Sequence, residues 1–253
     1  PLARHRESLG EAQTLFLRKL ARKTWAFFET FVGPEDHWLP PDNYQEHPVA
    51  VVAHRTSPTN MGLALLANLT AYDFGTITCG RMLERCARTL ETMAGLERHR
   101  GHFFNWYDTL SLKPLPPQYI SAVDSGNLAG HLLTLRSGLL ALADAPILSA
   151  RLFESLADTL ELALDAAAKM PAAELGGDVP ALLAGLRHDL GAAVRENPAS
   201  LGALRLCLAR LHTASETLAE TANARPADPG NDLGNAPGNE LSWWVRALAG
   251  QFR

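Results

Sequence analysis

The sequence predicts an all-α chain of successive antiparallel helical hairpins. Apolar residues recur at three- and four-residue intervals in one stretch after another, and Pro, Gly and Asn mark the joins between them. No stretch alternates apolar and polar residues with the period of two that a half-buried strand requires, so essentially no sheet is expected. A length of 253 residues allows one large domain or two small ones, with room for a sizeable core.

The first helix is expected from about Ser8 to Phe31, where Phe16, Leu20, Phe27 and Phe31 share a broad apolar face with Leu17, Trp25 and Phe28 beside it. Gly33-Pro34 ends it. From there to Arg55 no helical period exists, and the chain reads as an ordered loop stiffened by proline; long loops inside compact domains usually carry function. Ser57 then serves as N-cap and Pro58 as first helical residue of a second helix bearing Met61, Leu65, Leu66 and Leu69. A third, about Cys79 to Arg98, aligns Cys79, Leu83, Cys86, Leu90 and Met93, and Gly101 suits its C-terminal cap.

After an aromatic segment and the stiff loop Leu112–Pro117, Asp124 or Ser125 caps a fourth helix carrying Leu128, Leu132, Leu135 and Leu139. The fifth sets Leu152, Leu156, Leu160 and Leu164 on a four-residue stride. Asp178 and Pro180 start a sixth with Leu183, Leu186, Leu190 and Val194; Asn197-Pro198 start a seventh with Leu201, Leu204, Leu208 and Leu211. These elements make residues 1–220 a helical unit. Residues 221–239, rich in Pro, Gly, Asn and Asp, read as a flexible linker or loop. Residues 240–253 restart an amphipathic helix with Leu241, Trp244, Leu248 and Phe252. Its stripe runs to Arg253 without a capping residue, so a truncated helix with an exposed, self-associating edge is expected.

Composition excludes several classes. The formal net charge is -4 and no Lys/Arg cluster is interleaved with aromatics, which argues against nucleic acid as a partner. Three cysteines form no CxxC pair; Cys79 and Cys86 lie seven apart on one helical face and read as core. No signal-peptide pattern opens the sequence, and no apolar run approaches the ~20 residues of a membrane span. GxSxG, P-loop and Rossmann glycine patterns are absent, and no cofactor is expected. His54 and His102 lack a second His or Cys at helical ligand spacing, so no metal is expected either.

The chemistry concentrates in loops. Gly101–Thr109 (GHFFNWYDT), answered by Ser121–Leu128 (SAVDSGNL), sets aromatics beside amides and carboxylates. A pyranose wants that mixture, flat apolar faces for its C–H surface and paired polar heads for its hydroxyls. The polar and aromatic clusters fall in alternate connections, Trp38–Glu46 with His54–Asn60 and His102–Asp108 with Asp124–Asn127, so they are expected to open at one end of an arc of hairpins. Candidate sugar-binding residues are Trp38, Asp42, Gln45, Glu46, Arg55, Asn105, Trp106, Tyr107, Asp108, Asp124 and Asn127. Structural alternatives stand beside them: the aromatics plug a helix junction, Asp124 is an N-cap, Asp108 makes a structural hydrogen bond, and Asp42 or Glu46 fastens its own loop to Arg55.

At WLPPDNYQE, VAHRTSPTNMGL, RGHFFNWYDT and SAVDSGNLAGHL the sequence resembles the middle, transglycosylating domain of bacterial cyclic β-1,2-glucan synthases, strongly over roughly residues 20–140. The resemblance implies a very large inner-membrane glycosyltransferase. In it a glucoamylase-like (α/α)6 toroid on the cytoplasmic side binds linear β-1,2-glucan and closes it into a ring. This chain would be the N-terminal half of that toroid, partnered by the remaining domains of the same polypeptide. Catalytic glutamates would lie beyond Arg253, leaving the fragment inactive alone. The Ala/Leu-rich stretch from Ala143 to Glu220 carries no diagnostic motif. Two other readings remain open: part of a hydrolytic endo-β-glucanase toroid, and a non-catalytic carbohydrate-binding helical module.

Overall fold

A computed structural model describes residues 9–144, 151–172, 174–196, 198, 200–222 and 237–252. Among these, eight α-helices carry the fold: α1 (Glu11–Phe31), α2 (Pro58–Asp73), α3 (Cys79–Gly95), α4 (Ala122–Ala141), α5 (Arg151–Ala168), α6 (Val179–Glu196), α7 (Leu201–Thr221) and α8 (Pro237–Gly250). Short 3₁₀ turns occupy Pro34–Asp36 and Leu142–Asp144. The helical class is as expected. The loops are more ordered than expected, since six two-residue strands form three antiparallel ladders: β1 (Tyr44–Gln45) with β2 (Val51–Val52), β3 (Arg55–Thr56) with β6 (Tyr107–Asp108), and β4 (Arg98–His99) with β5 (His102–Phe103). Two residues are too few to show a period in sequence. These ladders lace loops together and form no layer.

The start of α2 is as its residues dictate: Ser57 Oγ accepts from Asn60 N at 3.2 Å, and Pro58 takes the first helical position. Four expected boundaries move. The N-cap of α4 is Ser121, whose hydroxyl accepts from Asp124 N, so Asp124 stands in the first turn with its carboxylate free for other partners. The cap of α7 is Ser200, three residues past the expected Asn197-Pro198; Asn197 itself lies outside the described residues. Helix α3 stops at Gly95 with Leu96 extended after it, and Gly101, at φ +87°, turns the β4–β5 hairpin instead of capping the helix. Most of the expected linker, 223–236, lies outside the described residues, and α8 begins at Pro237.

Two cores result. Met61, Leu65 and Leu69 of α2 meet Met82, Cys86 and Met93 of α3, Leu128 and Leu135 of α4, and Leu39 and Tyr107 from the loops. Leu156, Leu160 and Leu162 of α5 meet Leu183, Leu186 and Leu190 of α6, Leu211 and Leu218 of α7, and Leu241, Trp244 and Leu248 of α8. The exposed stripe anticipated for the last helix is therefore corrected: Trp244 and Leu248 are buried against α5 and α7, and Phe252 is half-buried beside them. Helix α1 bridges the cores, packing on both α2 and α5, with Arg18 paired to Glu154 and Asp158 and Arg22 donating to Thr159.

The α3 stripe is also rotated from its expected position. Leu83 and Leu90 are exposed, while Arg85 and Thr89 are buried. Arg85 has partners for its donors: Nε meets Asn68 Oδ1 and Nη2 meets Phe28 O, both at 2.8 Å. Its guanidinium also faces the rings of Trp25 and Trp38 at 5.1 and 5.5 Å. Burial, with Arg81 nearby, lowers its pKa to about 10, so it stays charged at neutral pH.

Candidate functional site

The β3–β6 ladder joins two loops that lie about fifty residues apart in sequence. Arg55 pairs with Asp108 and Thr56 with Tyr107, and successive residues point to opposite sides. Thr56 and Tyr107 turn inward and are fully buried, while Arg55 is exposed and Asp108 half-buried. Trp106 lies on the Arg55 side, its ring 4.9 Å from the guanidinium carbon. Asp42 Oδ2 holds that guanidinium through Nε at 3.2 Å and Nη2 at 2.9 Å, and Asp42 Oδ1 accepts from Asn60 Nδ2 at 3.3 Å. One indole face is thus occupied by arginine.

From α4, Asp124 Oδ1 accepts the Thr59 hydroxyl at 2.6 Å, and Thr59 Oγ1 accepts from Asn127 Nδ2 at 3.1 Å. Asn105 links this group to the indole. With its amide nitrogen toward Asp124 Oδ2 (2.9 Å), its oxygen accepts from Trp106 Nε1 at 2.6 Å and Tyr119 Oη at 2.7 Å. Asp42, Arg55, Asn105, Trp106, Asp108, Asp124 and Asn127 therefore gather in one cluster at the starts of α2 and α4. The positive ends of those helices favour the carboxylates there.

Four candidates stand apart. Tyr107 is corrected: fully buried, it gives its hydroxyl to Glu97 O (2.7 Å) and accepts from Phe104 N (2.8 Å), so it supports the ladder from beneath and cannot touch a sugar. Trp38, held in the left-handed region at φ 63°, stacks with Arg81 and Arg85 on α3. Its backbone is anchored by Gly33 O and by the Thr89 hydroxyl. Gln45 and Glu46 are exposed on the β1–β2 hairpin; Gln45 reaches Val49 O, and Arg55 takes Asp42 rather than Glu46.

The carboxylates in the cluster accept protein donors, as the structural alternatives for Asp42 and Asp108 require. Asp108 Oδ1 accepts from Ser111 N (2.6 Å), Ser111 Oγ (2.7 Å) and Leu110 N (3.1 Å), which holds the Asp108 carboxyl below its ordinary value. Thr59, Asn60 and Tyr119 belong to the cluster but were not among the candidates. Thr59 and Asn60 stand in the first turn of a well-capped helix, where any polar residue reads as solvent-facing. Among the described residues no three His, Cys, Asp or Glu side chains gather as a metal would require, and no helix is long and apolar enough to cross a membrane.

No family model matches this chain. Over 130 residues, 51% of its length, it is 49% identical to the cyclic β-(1,2)-glucan synthase NdvB of Rhizobium meliloti (strain 1021). The match covers 5% of that protein, so the chain spans a small fraction of the relative's length. Across half of its own length the chain is similar to a cyclic β-(1,2)-glucan synthase, the family that its four loop motifs resemble.

Proposed function

We propose that this chain is part of a cyclic β-1,2-glucan synthase, from the domain that binds linear β-1,2-glucan and closes it by transglycosylation. The convergence of the loop motifs around Trp106 supports the reading most: an indole edge-bound by Asn105, stacked on one face by Arg55, and ringed by Asp42, Asp108, Asp124 and Asn127. The half-buried indole suits a glucose ring, and the surrounding amides and carboxylates suit its hydroxyls. By resemblance, helices α1–α7 belong to the N-terminal half of an (α/α)6 toroid on the cytoplasmic side of a membrane-anchored polypeptide, and the other half of the same toroid supplies the catalytic glutamates. Glycosyl transfer with retention needs two carboxyl groups about 5–5.5 Å apart, and the carboxylates of this cluster serve as ligands.

The test is calorimetric titration of the 253-residue chain with linear β-1,2-linked glucose oligomers. Trp106→Ala should weaken binding about three- to tenfold, the share of one stacking contact, while the thermal midpoint stays near that of the wild type. The chain alone should release neither cyclic product nor new reducing ends. Equal affinity in wild type and variant would remove Trp106 from the site, and turnover by the isolated chain would place the chemistry within it.

A further inference from the structure

Behind the outward face of the β3–β6 ladder lies a second polar group. Asp36, at the end of the first 3₁₀ turn, is only 6% exposed. Its Oδ1 accepts the Thr109 hydroxyl and lies 2.8 Å from His54 Nδ1. Thr109 N donates to His54 O at 3.0 Å, extending the ladder by a rung, and Thr109 O lies 2.8 Å from His37 Nδ1. His54 thus ties a buried carboxylate to both strands just where they begin to pair. The titratable and charged groups around it are Asp36 on the 3₁₀ turn, His37 after it, Arg55 next on β3, and Asp108 on β6. The Asp108 carboxyl is lowered first by Ser111 and in smaller part by His54. The imidazole side chain is 41% exposed, so protons exchange with solvent.

We propose that His54 is a proton-sensitive positioning residue: by joining Asp36 to the ladder it fixes β3 on β6, and with them Arg55 over Trp106, so that sugar affinity rises when the imidazole is charged. The inference rests on reading this cluster as a β-1,2-glucan site. A neutral His54 donates Nδ1–H to Asp36. Protonation puts a full positive charge against the Asp36 carboxylate, turning the hydrogen bond into an ion pair as well, and adds attraction to Asp108. A ladder already held in place leaves less to be ordered when sugar binds.

Calorimetry with a linear β-1,2-glucose oligomer and the full 253-residue chain, from about pH 5.5 to 8, tests this. Wild-type affinity should fall about three- to tenfold toward the upper end. His54→Gln keeps an amide donor for Asp36 but cannot titrate, so its profile should be flatter, with His37 still present in both proteins. A wild-type profile that persists in His54→Gln overturns the role of His54 and leaves the sugar site standing. Absence of wild-type binding at every pH overturns both. Should the variant not fold, histidine-ring NMR on the wild type decides. By reciprocity, saturating oligomer must raise the protonated fraction of His54 at about pH 7, and an unchanged fraction overturns the proposal.

Discussion

At the scale of single residues, the turn after β6 depends on one carboxylate. Asp108 Oδ1 gathers three donors, two of them from Ser111, and its pKa is lowered as a result. A lowered carboxyl stabilises the fold above its ordinary value of 3.8, and that stabilisation is lost as the pH falls through the lower folded value. Ser111→Ala should therefore melt below the wild type at neutral pH, and the gap in thermal midpoint should close in acid below 3.8. A gap that persists there would mean the serine acts through packing. A second residue-scale expectation concerns the thiols. Burial pushes Cys86 up to about 11, whereas Cys79 and Cys207 are half-buried. In the folded protein Cys86 should react with a thiolate-specific reagent far more slowly than Cys79, and only at the rate of opening.

At the scale of elements, the α2–α4 pair owes its closeness to two glycines. A Cβ on Gly62 would overlap the His131 ring, and one on Gly138 would overlap Leu69. Gly62→Ala and Gly138→Ala should each cost about 1–3 kcal/mol by overpacking. Gly130→Ala, with open space around it on the same helix, should instead gain about 0.5–1 kcal/mol of helix stability. Urea denaturation of the three variants checks both signs. The helices themselves were legible because their apolar spacing and the Ser57-Pro58 start are local signals. The rotation of α3 was not: burial of Arg85 over Leu83 depends on Trp25 and Trp38, which come from two distant segments. The same limit explains the site. Loop composition pointed to Asn105, Trp106 and Asp124. That Arg55 covers one face of Trp106, and that Tyr107 turns inward, follow from a ladder register that no local pattern encodes.

At the scale of the whole molecule, two apolar cores share α1, which contributes Ala26 to one and joins the other through its packing on α2. Arg18, Arg22 and Lys23 tie that helix to Glu154, Asp158, Thr159 and Glu240 on the far side. Such a shared element is expected to couple the halves in unfolding. Leu65→Ala in the first core and Leu156→Ala in the second should each destabilise by about 2–5 kcal/mol. In each variant, unfolding followed by far-ultraviolet circular dichroism should coincide with unfolding followed by tryptophan emission. Two separated transitions would show that the cores melt independently.

The stacking of Arg55 on Trp106 has an optical consequence. Of the five tryptophans, Trp25, Trp243 and Trp244 are buried, while Trp38 and Trp106 are half-buried. Trp38 is wedged against α3 by two arginines, which leaves Trp106 as the indole whose surroundings an arriving molecule changes. The long-wavelength edge of the chain's fluorescence is therefore an intrinsic, label-free gauge of whether that cluster is filled.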